Sequence, residues 1–167
     1  MFANFWPRCG PVCLYLMILS GCGSAAPPSE LRNEPVRPPG EQTLYDRLGG
    51  SEAIYAITDK FIDRAIEDSR VNFQREGHDH SYAMTDDAKA HVKLYWAQFL
   101  DLLAEGTQVY EGRNLADVHQ GMKISEGEWL ALMEDLKLTL DQFHVPADQQ
   151  EDLLTRVAGT HDVVVNR

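Results

Sequence analysis

From residue 43 onwards, apolar residues recur every three or four positions, and no alternating apolar and polar run of useful length occurs among them. A spacing of three and four places apolar side chains on one face of an α-helix, whereas strict alternation is typical of a half-buried β-strand. The pattern therefore predicts an all-α domain over residues 43–167, in which several helices share one core.

Polar residues at helix starts and glycines at helix ends divide the domain into elements. Thr43 can cap a short first helix that stops at Gly49-Gly50, where the glycine pair permits a sharp reversal. Ser51 can then cap the second helix. The inner face of this second helix is predicted to carry Ile54, Ile57, Phe61 and Ala65.

Three longer helices are predicted further along the chain. Thr85 can cap the first of them through its hydroxyl oxygen. The two aspartates that follow it are favourable in a first turn, because the N-terminus of a helix dipole is positive. Ser125 and Glu128 form a capping box for the second, and Pro146 begins the last helix. The side chains predicted to point inward from these helices are Ala88, Val92, Tyr95 or Trp96, Phe99 and Leu103, then Trp129, Leu132, Met133, Leu136, Leu140 and Phe143, then Leu153, Leu154 and Val157.

Two stretches between the helices carry candidate chemistry. Residues 68–81 form a polar loop in which Phe73 is the one side chain expected to point inward. After an irregular stretch that begins at Gly106, a short helix presents Leu115, Val118 and His119. A histidine in such a run is, taken alone, more often a surface or core residue than a metal ligand.

Residues 1–22 have the composition of a targeting segment rather than of a folded element. The apolar run over residues 12–19 is too short to span a bilayer, and the sequence Leu19-Ser20-Gly21-Cys22 that follows is similar to a bacterial lipobox. Such signals are cleaved before the cysteine, so the resemblance implies a lipid anchor at Cys22. A plain secretory signal is the alternative. Gly23, in place of a retaining aspartate, favours the outer membrane of the bacterial envelope, facing the periplasm.

Composition limits the function further. Residues 23–42 are rich in proline, glycine and charge, which is typical of a tether. The formal net charge of -11 disfavours binding to nucleic acid or to an anionic membrane face, so membrane contact would come only through the lipid anchor. All three cysteines precede residue 23, which leaves the domain without a thiol. His78 and His80 lie on a loop without further fixed ligands, and such a pair binds divalent ions poorly.

Residues 43–164 resemble the group I truncated haemoglobins. The resemblance rests on an ordered set of short motifs, none of which is diagnostic alone: Thr43-Leu44-Tyr45-Asp46-Arg47-Leu48-Gly49-Gly50, Val71-Asn72-Phe73, Tyr110-Glu111-Gly112-Arg113, Val118-His119-Gln120-Gly121 and Val145-Pro146. The resemblance implies a truncated globin fold, a two-over-two helical sandwich around haem b.

The resemblance also implies a site. His119 would bind the haem iron, with its other ring nitrogen hydrogen-bonded, most simply to a backbone carbonyl. The side chains that would contact the haem are Leu115, Val118 and Ile124 on the proximal side, Phe73 on the porphyrin face, Val92, Tyr95 and Trp96 on the distal side, and Phe99, Leu132 and Met133 in the interior. Lys89, Lys93 and Arg113 are either partners of the haem propionates or solvated charges.

The distal side departs from the family pattern. Many group I members have a tyrosine directly after the phenylalanine of the second helix, whereas here Phe61 is followed by Ile62. The hydroxyl that would donate to bound oxygen is therefore missing. Tyr95 or Trp96 could replace it, or both could be packed in the core. His91 would reach the iron only if its helix were rotated.

The resemblance implies binding of oxygen, nitric oxide or carbon monoxide, with oxygen transport, nitric oxide dioxygenation and peroxidase-like chemistry as uses within the family. Any redox use requires a reductant, which the sequence does not identify. A pocket without a strong donor holds oxygen less firmly, which favours redox chemistry over storage. Two alternatives remain open: a haem-based gas or redox sensor, and a haem-free helical lipoprotein that acts as an interaction module.

Overall fold

The structure, a computed structural model, describes residues 42–77 and 81–165. The lipobox with Cys22, the tether and the His78-Asp79-His80 cluster lie outside these residues. Within the described ranges, no helix combines the length and the apolar composition needed to cross a bilayer.

The described chain folds into helices, which confirms the predicted all-α class. The one β-type contact recorded among these residues is an isolated bridge between Ile124 and Val165. The helices are α1 (Leu44–Leu48), α2 (Gly50–Glu67), α3 (Asp86–Leu103), α4 (Leu115–His119), α5 (Glu126–Gln142), α6 (Ala147–Ala158) and α7 (His161–Val164).

The four long helices form two pairs that face each other across the core. Helix α2 packs against α3 and also against α5, while α6 packs against α5 and α3. This is the two-over-two arrangement that the resemblance implies. The largest completely buried apolar side chains between the pairs are Phe61, Ile54, Ile62, Leu100, Leu136, Leu140 and Leu153.

Three predicted helix starts are confirmed. The hydroxyls of Thr43, Thr85 and Ser125 each accept the backbone N–H three residues further on, at 3.0, 3.2 and 3.3 Å respectively. Each bond satisfies a donor that the first turn of a helix leaves without an internal partner.

Ser51 does not cap α2, so that prediction is wrong. Gly49 takes a left-handed conformation with φ +97° and serves both as the end of α1 and as the N-cap of α2. Ser51 therefore lies inside the first turn. Its hydroxyl is instead hydrogen-bonded to the hydroxyl of Tyr45 at 3.0 Å and donates to the carboxylate of Asp101 at 3.2 Å, which joins three segments of the chain.

Two predictions near the C-terminus are also wrong. Pro146 is the N-cap of α6, but α6 is not the last helix, because α7 follows and packs against α4. Phe143 was expected to point inward, yet it is 38% exposed. It lies just after the end of α5, where the chain leaves the helical path that would have carried this ring toward the core.

Candidate functional site

The first half of α3 and the whole of α4 carry apolar side chains that are only half-buried, and the side of the domain that these side chains line is called the recess below. Residues 86–96 and 115–119, all of which the structure describes, contain no buried residue. Yet the apolar side chains Val92, Trp96, Leu115, Ile124 and Leu132 are half-buried and pack against the core. Ligand sites are lined mainly by apolar and aromatic side chains. A flat apolar group such as a porphyrin fits the character of this lining.

His119 is the last residue of α4 and has its two ring nitrogens in different roles. Its Nδ1 lies 2.7 Å from the carbonyl oxygen of Leu115, one turn back. A carbonyl oxygen only accepts, so Nδ1 carries the hydrogen and donates it. The lone pair is therefore on Nε2, which is the arrangement that a metal-ligating histidine needs.

The surroundings of His119 favour its neutral form. Burial lowers the pKa of His119 below its ordinary value, although the hydrogen bond to Leu115 opposes this effect. The helix that carries it is fixed at its start, since the side chain of Asn114 accepts the backbone N–H of Ala116 at 2.9 Å. A neutral imidazole is the form that binds iron.

On the opposite helix, the structure separates the two aromatic residues that the sequence left as alternatives. Trp96 packs against the core, with its ring edge-to-face against Phe61 at 5.2 Å between centroids. Tyr95 is 39% exposed, and its ring stacks beside that of His91 at 6.3 Å. Helix α3 therefore directs Trp96, and not Tyr95, toward the interior.

Two further distal positions bear on the site. Ile62 is completely buried between the helix pairs and offers no polar atom. His91 is exposed, and its Nδ1 lies 2.9 Å from the carbonyl oxygen of Asp87. The described distal side thus supplies an indole from Trp96 rather than the tyrosine hydroxyl usual in the resembled family.

Phe73 lies in the loop after α2, half-buried against the core as expected. The prediction that it is the one inward side chain of this loop is wrong, because Arg75 is buried there too. An ion pair holds this loop, because Nη1 of the buried Arg75 lies 2.6 Å from a carboxylate oxygen of Glu128 at the start of α5. Burial alone would raise the pKa of Glu128, but hydrogen bonds from Ser125 and Arg75 outweigh it and hold that pKa below its ordinary value.

The lysines considered as propionate partners have other partners in the structure. Nζ of Lys93 lies 2.6 Å from Asp59 and 2.8 Å from Asp63, and Nζ of Lys89 lies 2.5 Å from Asp63. These ion pairs fasten α3 to α2. Arg113 is exposed and remains the candidate at the edge of the recess.

Among the remaining predicted residues, Phe99 and Val118 are half-buried on the same two helices as Trp96 and His119. Sequence reasoning missed Tyr110, whose ring packs against Phe99 at 6.1 Å between centroids. It had been used only as part of a motif. The sequence does contain one indication of this role, because Gly112 lies two residues after Tyr110 and has no side chain to exclude the tyrosine ring.

The sequence model of the Bacterial-like globin family matches residues 43–166. A group 1 truncated hemoglobin of Synechocystis sp. is 35% identical over 123 residues, which cover 70% of this chain and 87% of that protein. One from Tetrahymena pyriformis is 31% identical over 104 residues, covering 62% of this chain and 78% of its own length.

Solved structures show the same fold. The truncated hemoglobin of Tetrahymena pyriformis in its Fe(III) form superposes with a TM-score of 0.65 at 25% identity, over 75% of this chain and 100% of that one. A 2/2 hemoglobin from a Synechococcus species, in the cyanomet state with covalently attached heme, gives a TM-score of 0.63 at 27% identity over the same shares.

Proposed function

Because the chain belongs to the bacterial-like globin family, with group 1 truncated haemoglobins as its relatives, we propose that Nε2 of His119 ligates the iron of its haem b. Haem is the cofactor of this family, and the protein is a haem globin that binds diatomic ligands.

A single observation carries the proposal, namely the hydrogen bond from Nδ1 of His119 to the carbonyl of Leu115. The bond fixes the tautomer and the orientation of the ring before iron arrives. Apolar side chains on both sides of the recess would pack on the two faces of the porphyrin, and Phe73 would close one edge. When bound, the haem would supply an iron that can bind a small diatomic ligand.

The distal residues favour reaction with nitric oxide or peroxide over oxygen storage. Ile62 and Val92 cannot donate a hydrogen bond, and the hydroxyl of Tyr95 belongs to an exposed side chain. Trp96 does turn inward, but its indole N–H is a weaker donor than a phenol hydroxyl. A pocket without a strong donor retains oxygen less firmly, because part of the affinity of globins for oxygen comes from such a bond. Dioxygenation of nitric oxide or peroxidase-like turnover would then require an external reductant.

The test is an absorption spectrum of the purified full-length protein in the ferric, ferrous and ferrous carbon monoxide states. We expect a Soret band that shifts with carbon monoxide in the parent and is lost or strongly altered in His119→Ala. Adding imidazole to His119→Gly should restore it. His144→Ala is the matched control, because His144 also has Nδ1 near a backbone carbonyl, at 3.2 Å from that of Asp141, but is exposed on another helix end.

An unchanged Soret band in His119→Ala would contradict the assignment of the iron ligand. A colourless, folded parent would instead favour the haem-free interaction module. A spectrum typical of six-coordinate ferrous iron that His91→Ala converts to five-coordinate would assign His91 as a second ligand.

We also propose that the protein is held in the bacterial cell envelope by a lipid on Cys22, at the outer membrane and facing the periplasm. The support is the lipobox-like sequence alone. Labelling of cells with a tagged fatty acid should mark the parent and not Cys22→Ala. Label-free protein recovered in the periplasm would instead indicate a plain secretory signal.

A further inference from the structure

A line of aromatic rings runs from the core, past the recess, to the loop before α4. The centroids of Phe61 and Trp96 are 5.2 Å apart, those of Trp96 and Phe99 are 5.9 Å apart, and those of Phe99 and Tyr110 are 6.1 Å apart. All three contacts are edge-to-face. Ring pairs at these separations are in van der Waals contact, so the line has no gap.

Tyr110, at the outer end of the line, is held in the loop by contacts with Gly112 and Arg113. Its ring lies directly over Gly112, where any Cβ would overlap the phenol. Its hydroxyl donates to the carbonyl oxygen of Arg113 at 3.0 Å, in a hydrogen bond that is exposed to solvent. Burial raises the pKa of Tyr110, and the nearby Tyr95 adds to the rise.

We propose that Trp96 and Tyr110, bridged by the ring of Phe99, conduct single electrons between the haem recess and the surface, and that Tyr110 is where a small phenolic reductant delivers them. The inference rests on the proposed function, in which Trp96 lines the haem pocket. It supplies what that function leaves open, namely the route and the chemical class of the reductant.

Indole and phenol are the side chains best suited to this role. Both lose one electron more readily than an aliphatic or a phenylalanine side chain, and thiols, which would compete with them, are missing from the sequence after Cys22. Among the ring contacts that the structure describes, Trp129 pairs with His161 and not with this line. Between Trp96 and Tyr110, the line therefore offers two oxidisable residues with the ring of Phe99 as a bridge between them.

The reaction balances with hydrogen peroxide as the oxidant. One peroxide takes up two electrons and two protons and becomes two molecules of water. Each electron is drawn from Tyr110 through Trp96, while the phenolic proton of Tyr110 passes to solvent. A phenol then returns one electron and one proton to the oxygen of Tyr110 and becomes a phenoxyl radical. Two phenols are oxidised for each peroxide reduced.

The net charge of -11 narrows the class of reductant. An acidic surface repels anions, and this slows their encounter at low ionic strength. We therefore expect a neutral phenol such as guaiacol to be oxidised faster than ascorbate, with the difference shrinking as salt is added. Equal salt dependence for both would contradict the assignment of the class.

The decisive experiment mixes the ferric haem-loaded protein with one equivalent of hydrogen peroxide, freezes it and records the electron paramagnetic resonance spectrum. A spin trap followed by peptide mass spectrometry identifies the oxidised residue. We expect a tyrosyl signal and a trap adduct on Tyr110, both lost in Tyr110→Phe and reduced several-fold in Trp96→Phe. Tyr55→Phe is the matched control, because this exposed tyrosine on α2 is outside the line, and it should change neither.

A further variant tests whether the position of the Tyr110 ring matters, and not only the presence of a tyrosine there. Gly112→Ala retains Tyr110 but displaces its ring, and should reduce the adduct on Tyr110 while the Soret band stays as in the parent. An adduct on Tyr55 or Tyr82, or a tyrosyl signal unchanged in Tyr110→Phe, would overturn the inference. Failure of the proposed function is distinguishable, because it would show as a missing or His119-independent Soret band before any peroxide is added.

Discussion

The side chain of Ile62 determines, on our proposal, how long oxygen stays in the pocket. Ile62 is completely buried on α2, next to Phe61. Replacing it by tyrosine would add a hydroxyl on the distal side, and a hydrogen bond worth about 1 kcal/mol would slow oxygen dissociation about fivefold. Stopped-flow displacement of oxygen by carbon monoxide measures this rate.

Ile62→Phe is the control for that substitution, because it adds a ring of similar size without the hydroxyl. Both variants should lose about 1–3 kcal/mol of stability through overpacking. The hypothesis of a donor-poor pocket would be abandoned if the two variants released oxygen at the same rate.

Several residues could be predicted from the sequence and others could not. The motif around His119 predicted a ring hydrogen-bonded to a backbone carbonyl, and the structure contains that bond. Periodicity left Tyr95 and Trp96 open, because adjacent residues differ by only 100° around a helix and the phase depends on tertiary packing. Serine is a common N-cap, so the sequence favours Ser51 as the cap of α2. The structure uses Gly49 in a left-handed conformation instead, and the sequence does not show which of the two glycines takes that conformation.

Among the elements, the loop that carries Phe73 depends on the Arg75–Glu128 ion pair. Both side chains are largely buried, so Arg75→Met would leave a carboxylate without its counter-ion and should cost about 3 kcal/mol of unfolding free energy. Urea unfolding followed by circular dichroism measures the loss.

The matched control for Arg75→Met is Lys137→Met, which removes an exposed pair with Asp141 on α5. Exposed pairs of this spacing are worth about 0.3–0.5 kcal/mol. If the two variants lose the same stability, the ion pair does not hold the loop.

Helix α7 should show a pH-dependent stability. His161 is paired with Asp162 at 2.9 Å and with Glu126 at 2.8 Å, and these bonds raise its pKa. A raised folded-state pKa means that the stabilisation is complete below the ordinary pKa and is lost as the pH rises through the folded value.

The measurement is the unfolding temperature of the parent and of His161→Gln over a range of pH. The parent should exceed the variant below about pH 6.5, and the difference should shrink as the pH rises. A difference that is constant with pH would mean that the pairing of His161 with Glu126 and Asp162 contributes nothing to α7.

The starts of α3 and α5 were predictable because caps are local signals, whereas the buried surface of α3 was not. Its described buried residues include Gln98 and Asp101. Gln98 accepts the backbone N–H of Glu111 at 3.1 Å, and Asp101 accepts that of Gln108 at 3.0 Å. These polar side chains can be buried because they are hydrogen-bonded to a loop later in the chain. They interrupt the regular spacing of apolar residues from which a buried helix face is predicted.

For the whole molecule, removing haem should loosen one side of the domain and leave the other intact. Residues 86–96 and 115–119 have no buried residue of their own, while α2 and α5 contain half of the described buried apolar residues. Hydrogen exchange should therefore accelerate in these two segments of the apoprotein and change little in α2 and α5. Uniform acceleration would show instead that the core also requires haem.

The two-over-two topology itself was predicted from the order of motifs and not from the periodicity. Amphipathic helices of this length pack in several ways, and only long-range contacts choose among them. The short α7 was not predicted because four residues carry too little periodic signal to be read.

Helix α3 is anchored in the core by its second half only, through Ala97 and Leu100, while its first half borders the recess. The scaffold can consequently assemble before the wall that encloses the porphyrin. If the chain is exported, as we propose, and crosses the membrane unfolded, it would meet its haem on the far side. Insertion of the cofactor would then be a late event in maturation, governed by haem supply in that compartment rather than by the rate at which the chain folds.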